Sequence, residues 1–486
     1  MSANGLHPTT HTNPAIFTGR SVMLMLSGMV KMLVQLTVIL LYARMLPVDL
    51  YGQYQSVWLY TNVISAVSLF GLPALILSSG SENIFTFFHT YKTRTTIIAL
   101  LLFILPVALL WTLEPGFTFL QKGLLTLLIL AQNIAAIREV LVLKHGSHKK
   151  VLLANIVFSV LFLLAHLAMT GNRYSLDTLL MLLIGVFMIK SAMLKPQHFT
   201  APSLPAIPVQ ITGKQWLYLG LFDTINTLYK WLDKWIILSF LTIQQFALYY
   251  NGAYEIPVFG ILVSAVGHIM LVEWGRTHNS AEHIRQTMHH ATRLLAAWVL
   301  PAFVFLIWHH ENFFLLFFGN TYADAVPVFF IALFILPLRI TNFTAVLQFY
   351  QRSDRIVLGA IIDLITAIIL MFILYPLLHV RGIILAVVIS TWIQAGYYLW
   401  ASARITGIPW YRLLPFTYIA MLTTASFAIT AGLYFATQSS STYVQLGAGF
   451  AGILLTGWLF GKKHLREAVA FLRNTKQPPS ESRKNN

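Results

Sequence analysis

The sequence predicts an all-α, polytopic membrane protein with about fourteen transmembrane helices. Three observations carry this. Of 486 residues, 57% are hydrophobic and only 10% charged, with a mean hydropathy of +0.72; soluble proteins carry about 25% charged residues. The apolar runs are continuous and reach about 20 residues or more, the length a helix needs to cross a bilayer, whereas a membrane β-barrel shows short alternating segments. Lys and Arg gather at alternate ends of these runs, as the orientation signal of a multispan chain does.

Taken in order, the polar N-terminus has no basic leader, and the apolar run from Val22 to Met45 is too long for a signal-peptide core, so it reads as a retained first span. Spans are expected at residues 18–45, 50–79, 95–113, 118–143, 149–170 and 175–194. Residues 196–208 then hold four prolines in thirteen positions, the composition of an extended linker between two halves. Further spans are expected at 214–241, 246–275, 286–309, 324–350, 355–378, 382–404, 411–436 and 441–460, the last two as an appendix to a twelve-span arrangement. The divisions are therefore 1–195, a linker at 196–213, 214–405, two additional spans at 406–461, and a basic tail at 462–486 that reads as a short helix followed by disorder. A weak internal repeat appears at an offset of 195 residues: Leu46, Tyr51, Gly52 and Tyr54 align with Leu241, Phe246, Ala247 and Tyr249, in short turns that join the first two spans of each half. The shared sense implies parallel repeats, related by an axis along the membrane normal.

Of the 32 Lys and Arg, 24 fall on the side of the N-terminus, four on the opposite side, and four (Lys31, Lys230, Lys234 and Arg339) within spans. The asymmetry predicts that both termini are cytoplasmic. It also accounts for the net charge of +16 as topology signal beside anionic lipid, with no nucleic-acid partner. Cysteine is absent, which excludes thiol chemistry and Cys-based metal sites. The sixteen histidines mostly sit at span ends without ligand spacing; neither a metal nor another cofactor is expected. His166, inside span five, reads as a packing histidine rather than a protonation site. There is no phosphate-binding Gly-rich lysine loop, no catalytic triad pattern and no loop large enough for a catalytic domain, so the chain is not expected to be an enzyme.

Residues 216–241 are apolar enough to span a membrane yet carry Asp223, Lys230, Asp233 and Lys234. At about 100° per residue these four, with Asn226 and Thr227, fall on one stripe roughly 120° wide, the rest being Leu, Ile, Phe and Trp. Charges at that depth are costly unless they meet water or a partner, so the stripe must face the inside of a bundle. Lys31, Glu255, Arg339 and Asp363 are further intramembrane charges of the same kind. The competing reading is local pairing: Lys230 with Asp233 one turn on, and Arg339 with Asp363 or snorkelling. Lys31 and Lys234 have no evident partner on their own helix, which favours a cavity role for both. Prolines within spans (Pro73, Pro106, Pro257, Pro301, Pro337, Pro376) mark expected kinks and hinge candidates.

The segments LYARMLPVDLYGQY (41–54) and FGLP (70–73) resemble the opening of the polysaccharide biosynthesis (O-antigen-type) flippases. WLDKWII (231–237) and ALYYNGAYEIP (247–257) resemble the start of their second lobe, and FGNTYADAVPVF (318–329) and LPLRI (336–340) continue in the same order. The superfamily includes the multidrug and toxin extrusion (MATE) exporters and the peptidoglycan-precursor flippase. The resemblance implies two six-helix lobes around a central cavity, plus two C-terminal helices. It implies movement of undecaprenyl-pyrophosphate-linked glycans across the bacterial inner membrane by alternating access, driven by an ion gradient, with polysaccharide polymerase and chain-length machinery as partners. Lys31, Lys230, Lys234 and Arg339 would bind the anionic head group. Asp223, Asp233, Glu255 and Asp363 would hold those cations or take the coupling ion. Relatives usually carry Arg where this chain has Lys31. Two alternatives stay open: a MATE-like exporter, which would place unpaired carboxylates at the cavity centre, and a scaffold, which would need no buried charges.

Overall fold

A computed structural model describes residues 14–78, 92–113, 116–144, 146–169, 175–195, 213–276 and 280–474. The expected linker at 196–208 and the end of the tail, 475–486, lie outside the described residues. Within them the chain is helical, without a strand.

Among the described residues seven helices precede the Pro-rich stretch: α1 (Pro14–Met45), α2 (Val48–Leu69), α3 (Leu72–Ser78), α4 (Lys92–Leu113), α5 (Phe119–Lys144), α6 (His148–Met169) and α7 (Leu176–Met193). Eleven follow: α8 (Gly213–Phe240), α9 (Ile243–Gly252), α10 (Pro257–Arg276), α11 (Ala281–Phe318), α12 (Val326–Ala332), α13 (Ala345–Phe349), α14 (Ser353–Leu378), α15 (Val380–Thr406), α16 (Trp410–Leu413), α17 (Phe416–Thr437) and α18 (Thr442–Asn474). Eleven of the described helical segments are long and apolar enough to cross a membrane. This is a multi-pass membrane protein, though the eleven do not by themselves reach the expected fourteen. The expected spans at 50–79, 95–113 and 214–241 are absent from the eleven. Of these, α2 and α8 are diluted by the polar residues Gln53, Gln55 and Asn62 and by Asp223, Lys230, Asp233 and Lys234 respectively.

Local chemistry sets the helix ends. Ser175 caps α7 by accepting from the Thr178 backbone N–H. Thr242 and Gln245 form a reciprocal capping box at the start of α9. α15 stops at Gly407, which takes the left-handed conformation (φ 71°). Expected kinks are only partly seen at proline. Pro106, Pro301 and Pro376 lie inside helices, but α11 bends at His309, whose backbone leaves helical geometry (φ −114°, ψ 17°). The expected single span at 324–350 is broken: α12 is flanked by 3₁₀ turns at Asn320–Ala325 and Leu333–Ile340, and Thr341 is extended before α13. Pro337 sits within the second 3₁₀ turn, where its missing N–H rules out a regular helical ladder.

In the first half, α1 packs on α6, α5 on α7, and α2 on α4 and α5; in the second, α14 packs on α15 and α10 on α11. α17 and α18 lean on each other and on α11. The halves meet mainly where α2 contacts α8 and α9, and where α3 contacts α8. The repeat offset reappears in the helix ends: α1 and α8 end at Met45 and Phe240, and α2 and α9 begin at Val48 and Ile243. Tyr51 and its counterpart Phe246 are both fully buried, as is Tyr249, the counterpart of Tyr54.

Candidate functional site: a charged cavity between the halves

The two halves touch at both ends of α2. At the end near the α1–α2 turn, the Tyr51 hydroxyl donates to Asn251 Oδ1 (2.7 Å) and Gln55 Nε2 donates to the same oxygen (3.1 Å). At the far end, Phe70 and Gly71 both take left-handed backbone conformations (φ 39° and 68°), which breaks α2 from α3. There Trp216 Nε1 donates to the Phe70 carbonyl (2.9 Å), and Gly220 lies so close under the Phe70 ring that a side chain at 220 would collide with it.

Between these contacts lies a cavity of about 1000 Å³. The first half contributes Gln35 from α1 and Gln55, Trp58 and Asn62 from α2; the second contributes α8, the start of α10 and the second 3₁₀ turn. The stripe read from residues 216–241 faces it: Asn226, Thr227, Lys230, Asp233 and Lys234 all line the wall. Glu255 and Arg339 do so as well. The charged lining is therefore three cations against two carboxylates, a net +1.

The pairing differs from the local expectation. Asp233, 5% exposed, points to α9 and accepts from the Tyr249 hydroxyl (2.7 Å), with Lys234 Nζ 3.2 Å away. Lys230 is left facing the cavity with no ion-pair partner among the described residues. The two lysines thus exchange the parts expected of them: Lys234 holds the carboxylate and Lys230 stands open. The reason is tertiary. Tyr249 comes from the next helix and turns Asp233 away from Lys230. Arg339 pairs with Glu255 (3.0 Å) rather than with Asp363.

The remaining expected site residues lie elsewhere. Lys31 is next to Met32, which lines the cavity, but its ammonium turns to Glu139 on α5 (3.1 Å). Glu139 also binds Lys190 of α7 (2.6 Å) and accepts from Asn155 of α6 (2.9 Å). Lys31 has no partner on its own helix, as read; the network with Glu139 and Lys190 joins it to a carboxylate 108 residues away in sequence. Asp223 is half-buried and outside the cavity wall. Asp363 is fully buried on α14, with Tyr229 and Ser390 as polar neighbours, and neither carboxylate oxygen has a hydrogen-bond partner among the described residues. His166 is a packing residue, as read: its Nδ1–H donates to the Phe162 carbonyl (2.7 Å), which leaves Nε2 to accept from the Tyr54 hydroxyl (3.1 Å). Sequence reading missed Lys190, whose place near a span end made it look like orientation signal, and the aromatic wall of Trp58, Phe162 and Tyr254.

Fold and cavity define a multi-pass membrane protein of the class built around a central, ligand-sized, charged chamber. The chain belongs to the polysaccharide biosynthesis protein family, whose pattern matches residues 41–327. Its structure is similar to that of the lipid II flippase MurJ in an inward closed conformation, with 14% identity, 92% of this chain and 99% of MurJ covered, and a TM-score of 0.67. It is also similar to an inward-facing multidrug resistance MATE family transporter of the MOP superfamily (14% identity, 80% and 98% covered, TM-score 0.53). A mutant MATE structure matches alike (15% identity, 81% and 96% covered, TM-score 0.53). No curated protein matches the sequence. At these identities the structural likeness establishes the shared fold.

Proposed function

We propose that this protein is a flippase that moves a polyprenyl-pyrophosphate-linked oligosaccharide across the bacterial cytoplasmic membrane by alternating access, with both termini cytoplasmic. The observation that carries the reading is Lys230, a cation in the cavity wall without a carboxylate of its own. A diphosphate cannot enter hydrocarbon unpaired. Lys230 supplies the compensating charge, and Lys234 and Arg339 add to it when the head group competes with Asp233 and Glu255 for their protons. A volume of about 1000 Å³ suits a head group with its first sugars, while the prenyl chain stays in lipid beside an opening between the halves. The net +1 of the lining disfavours an exporter of cations. The protein's work is translocation; no bond of the substrate is made or broken.

Energy for one-way movement comes in this reading from an ion gradient. Asp363, fully buried on α14 beside Tyr229 and Ser390, is the carboxylate this reading assigns to the coupling ion. Lys31 acts through Glu139 and Lys190 to shape the first half, and touches substrate only if it leaves that network.

The test is complementation. In a strain deleted for the protein and free of redundant carriers, Lys230→Ala should sharply reduce surface glycan while Lys230→Arg retains it, with both variants present in the membrane at normal levels. Normal lipid-linked glycan in the outer leaflet with Lys230→Ala would sink the assignment.

A further inference from the structure

We propose that a second site, remote from the cavity, binds the phosphate of a glycerophospholipid of the surrounding membrane. It is a pocket of about 580 Å³ between the start of α11 and the connection from α15 to α17, and none of its lining residues lines the central cavity.

The connection is built to lie on a membrane surface. After Gly407, the four-residue helix α16 buries Leu413 and leaves Trp410 and Tyr411 each 53% exposed, with Phe416 40% exposed beyond Pro415. Trp410 packs edge-on against both Tyr411 and Phe416. Exposed Trp and Tyr at the end of a span are the side chains that anchor at the head-group layer. His289 of α11 fastens this apron: its Nε2 lies 2.9 Å from the Arg412 carbonyl oxygen, so an N–H there donates to it.

The charge in the pocket is positive. Glu282 already has both oxygens engaged, by Arg285 (2.8 Å to Oε2) and by Gln286 (3.0 Å to Oε1). Arg412 lies over the Tyr411 ring (5.8 Å), lines the pocket and has no carboxylate in ion-pair range among the described residues. One turn deeper, Arg293 stacks on Tyr418 (5.6 Å), adding to the local positive field. An exposed guanidinium backed by an aromatic ring presents a fork that matches a phosphate. Below the pocket the outer face of α17 exposes Met421 and Phe427 toward lipid, a path for acyl chains attached to that phosphate. The combination of surface depth, open guanidinium and apolar path points to a phospholipid head group rather than a soluble phosphate.

Native mass spectrometry of the full-length protein, titrated with phosphatidylglycerol and separately with inorganic phosphate or glycerol phosphate, distinguishes the sources. The wild type should retain a phosphatidylglycerol molecule, and Arg412→Gln should weaken this about fivefold, the factor one basic residue contributes at an anionic membrane surface. Arg404→Gln, which removes a cation stacked on Trp400 outside the pocket, should leave it unchanged. Equal retention by wild type and Arg412→Gln, or an equal loss with Arg404→Gln, overturns the site. Soluble phosphate that displaces the lipid at equal concentration overturns the lipid assignment.

Discussion

At the scale of single residues, the charges inside the protein divide into those that are satisfied and those that are not. Glu139 anchors two lysines and accepts from Asn155, and the Lys190 side chain is only 7% exposed. Glu139→Ala strands that ammonium in the first half, which should cost about 3 kcal/mol of stability, the range for breaking a buried pair. Lys31→Ala removes the outer, 28% exposed member and should cost about 1 kcal/mol or less. Thermal or denaturant unfolding in detergent checks the order; equal losses for the two variants would remove the distinction drawn between Lys190 and Lys31. Sequence spacing exposed the stripe on α8 because a single helix fixes it. It could not show which carboxylate each lysine holds, since Tyr249 and Glu139 arrive from other helices, 16 and 108 residues away. Arg339 illustrates the same limit: its partner Glu255 is 84 residues distant.

At the scale of elements, some helix ends were legible, such as Met45 and Leu378, whereas α11 runs nine residues beyond the expected 309 and α2 stops ten short of the expected 79. The repeat was legible for a deeper reason, as the same turn recurs at Leu46–Pro47 and Leu241–Thr242. Where helices break was legible in part: α2 breaks at Phe70–Gly71, just before Pro73, one of the prolines expected to mark a kink, whereas α11 bends at His309, away from its Pro301. The break in α2 matters for motion. Gly220 and Gly71 allow α8 to close on Phe70, and a larger side chain at 220 must push the seam apart. Overpacking of this kind costs roughly 1–3 kcal/mol in the closed arrangement alone. Gly220→Leu should therefore shift the population toward separated halves at that end. The absence of native cysteine makes this measurable. With Thr227→Cys as a reporter in the cavity wall of the detergent-purified protein, a hydrophilic thiol reagent should react about tenfold faster in the Gly220→Leu background, the factor for about 1.4 kcal/mol. An unchanged rate would mean that the Phe70–Trp216 contact does not limit access.

At the scale of the whole molecule, two halves joined along α2 enclose one chamber, with α17 and α18 added on the side of α11. Composition alone established the membrane setting, since so apolar a chain has no other solvent in which to fold. The chamber was legible only in outline: intramembrane charges had to face something, but its volume and the closure at both ends of α2 follow from how the halves meet. That geometry gives the transport proposal its physical form. In that proposal an anionic head group exchanges hydration for Lys230, Lys234 and Arg339, and the halves separate at one end of α2 while remaining in contact at the other. The most direct measurement is translocation by the purified protein in proteoliposomes, scored by outer-leaflet appearance of a polyprenyl-diphosphate-linked oligosaccharide under an imposed ion gradient. Wild-type protein should move the lipid, and Lys230→Ala should slow it roughly thirtyfold, the factor for about 2 kcal/mol of lost charge pairing. Movement at the wild-type rate in Lys230→Ala, or none above empty liposomes with the wild type, would contradict the assignment of this cavity to a lipid-linked anion.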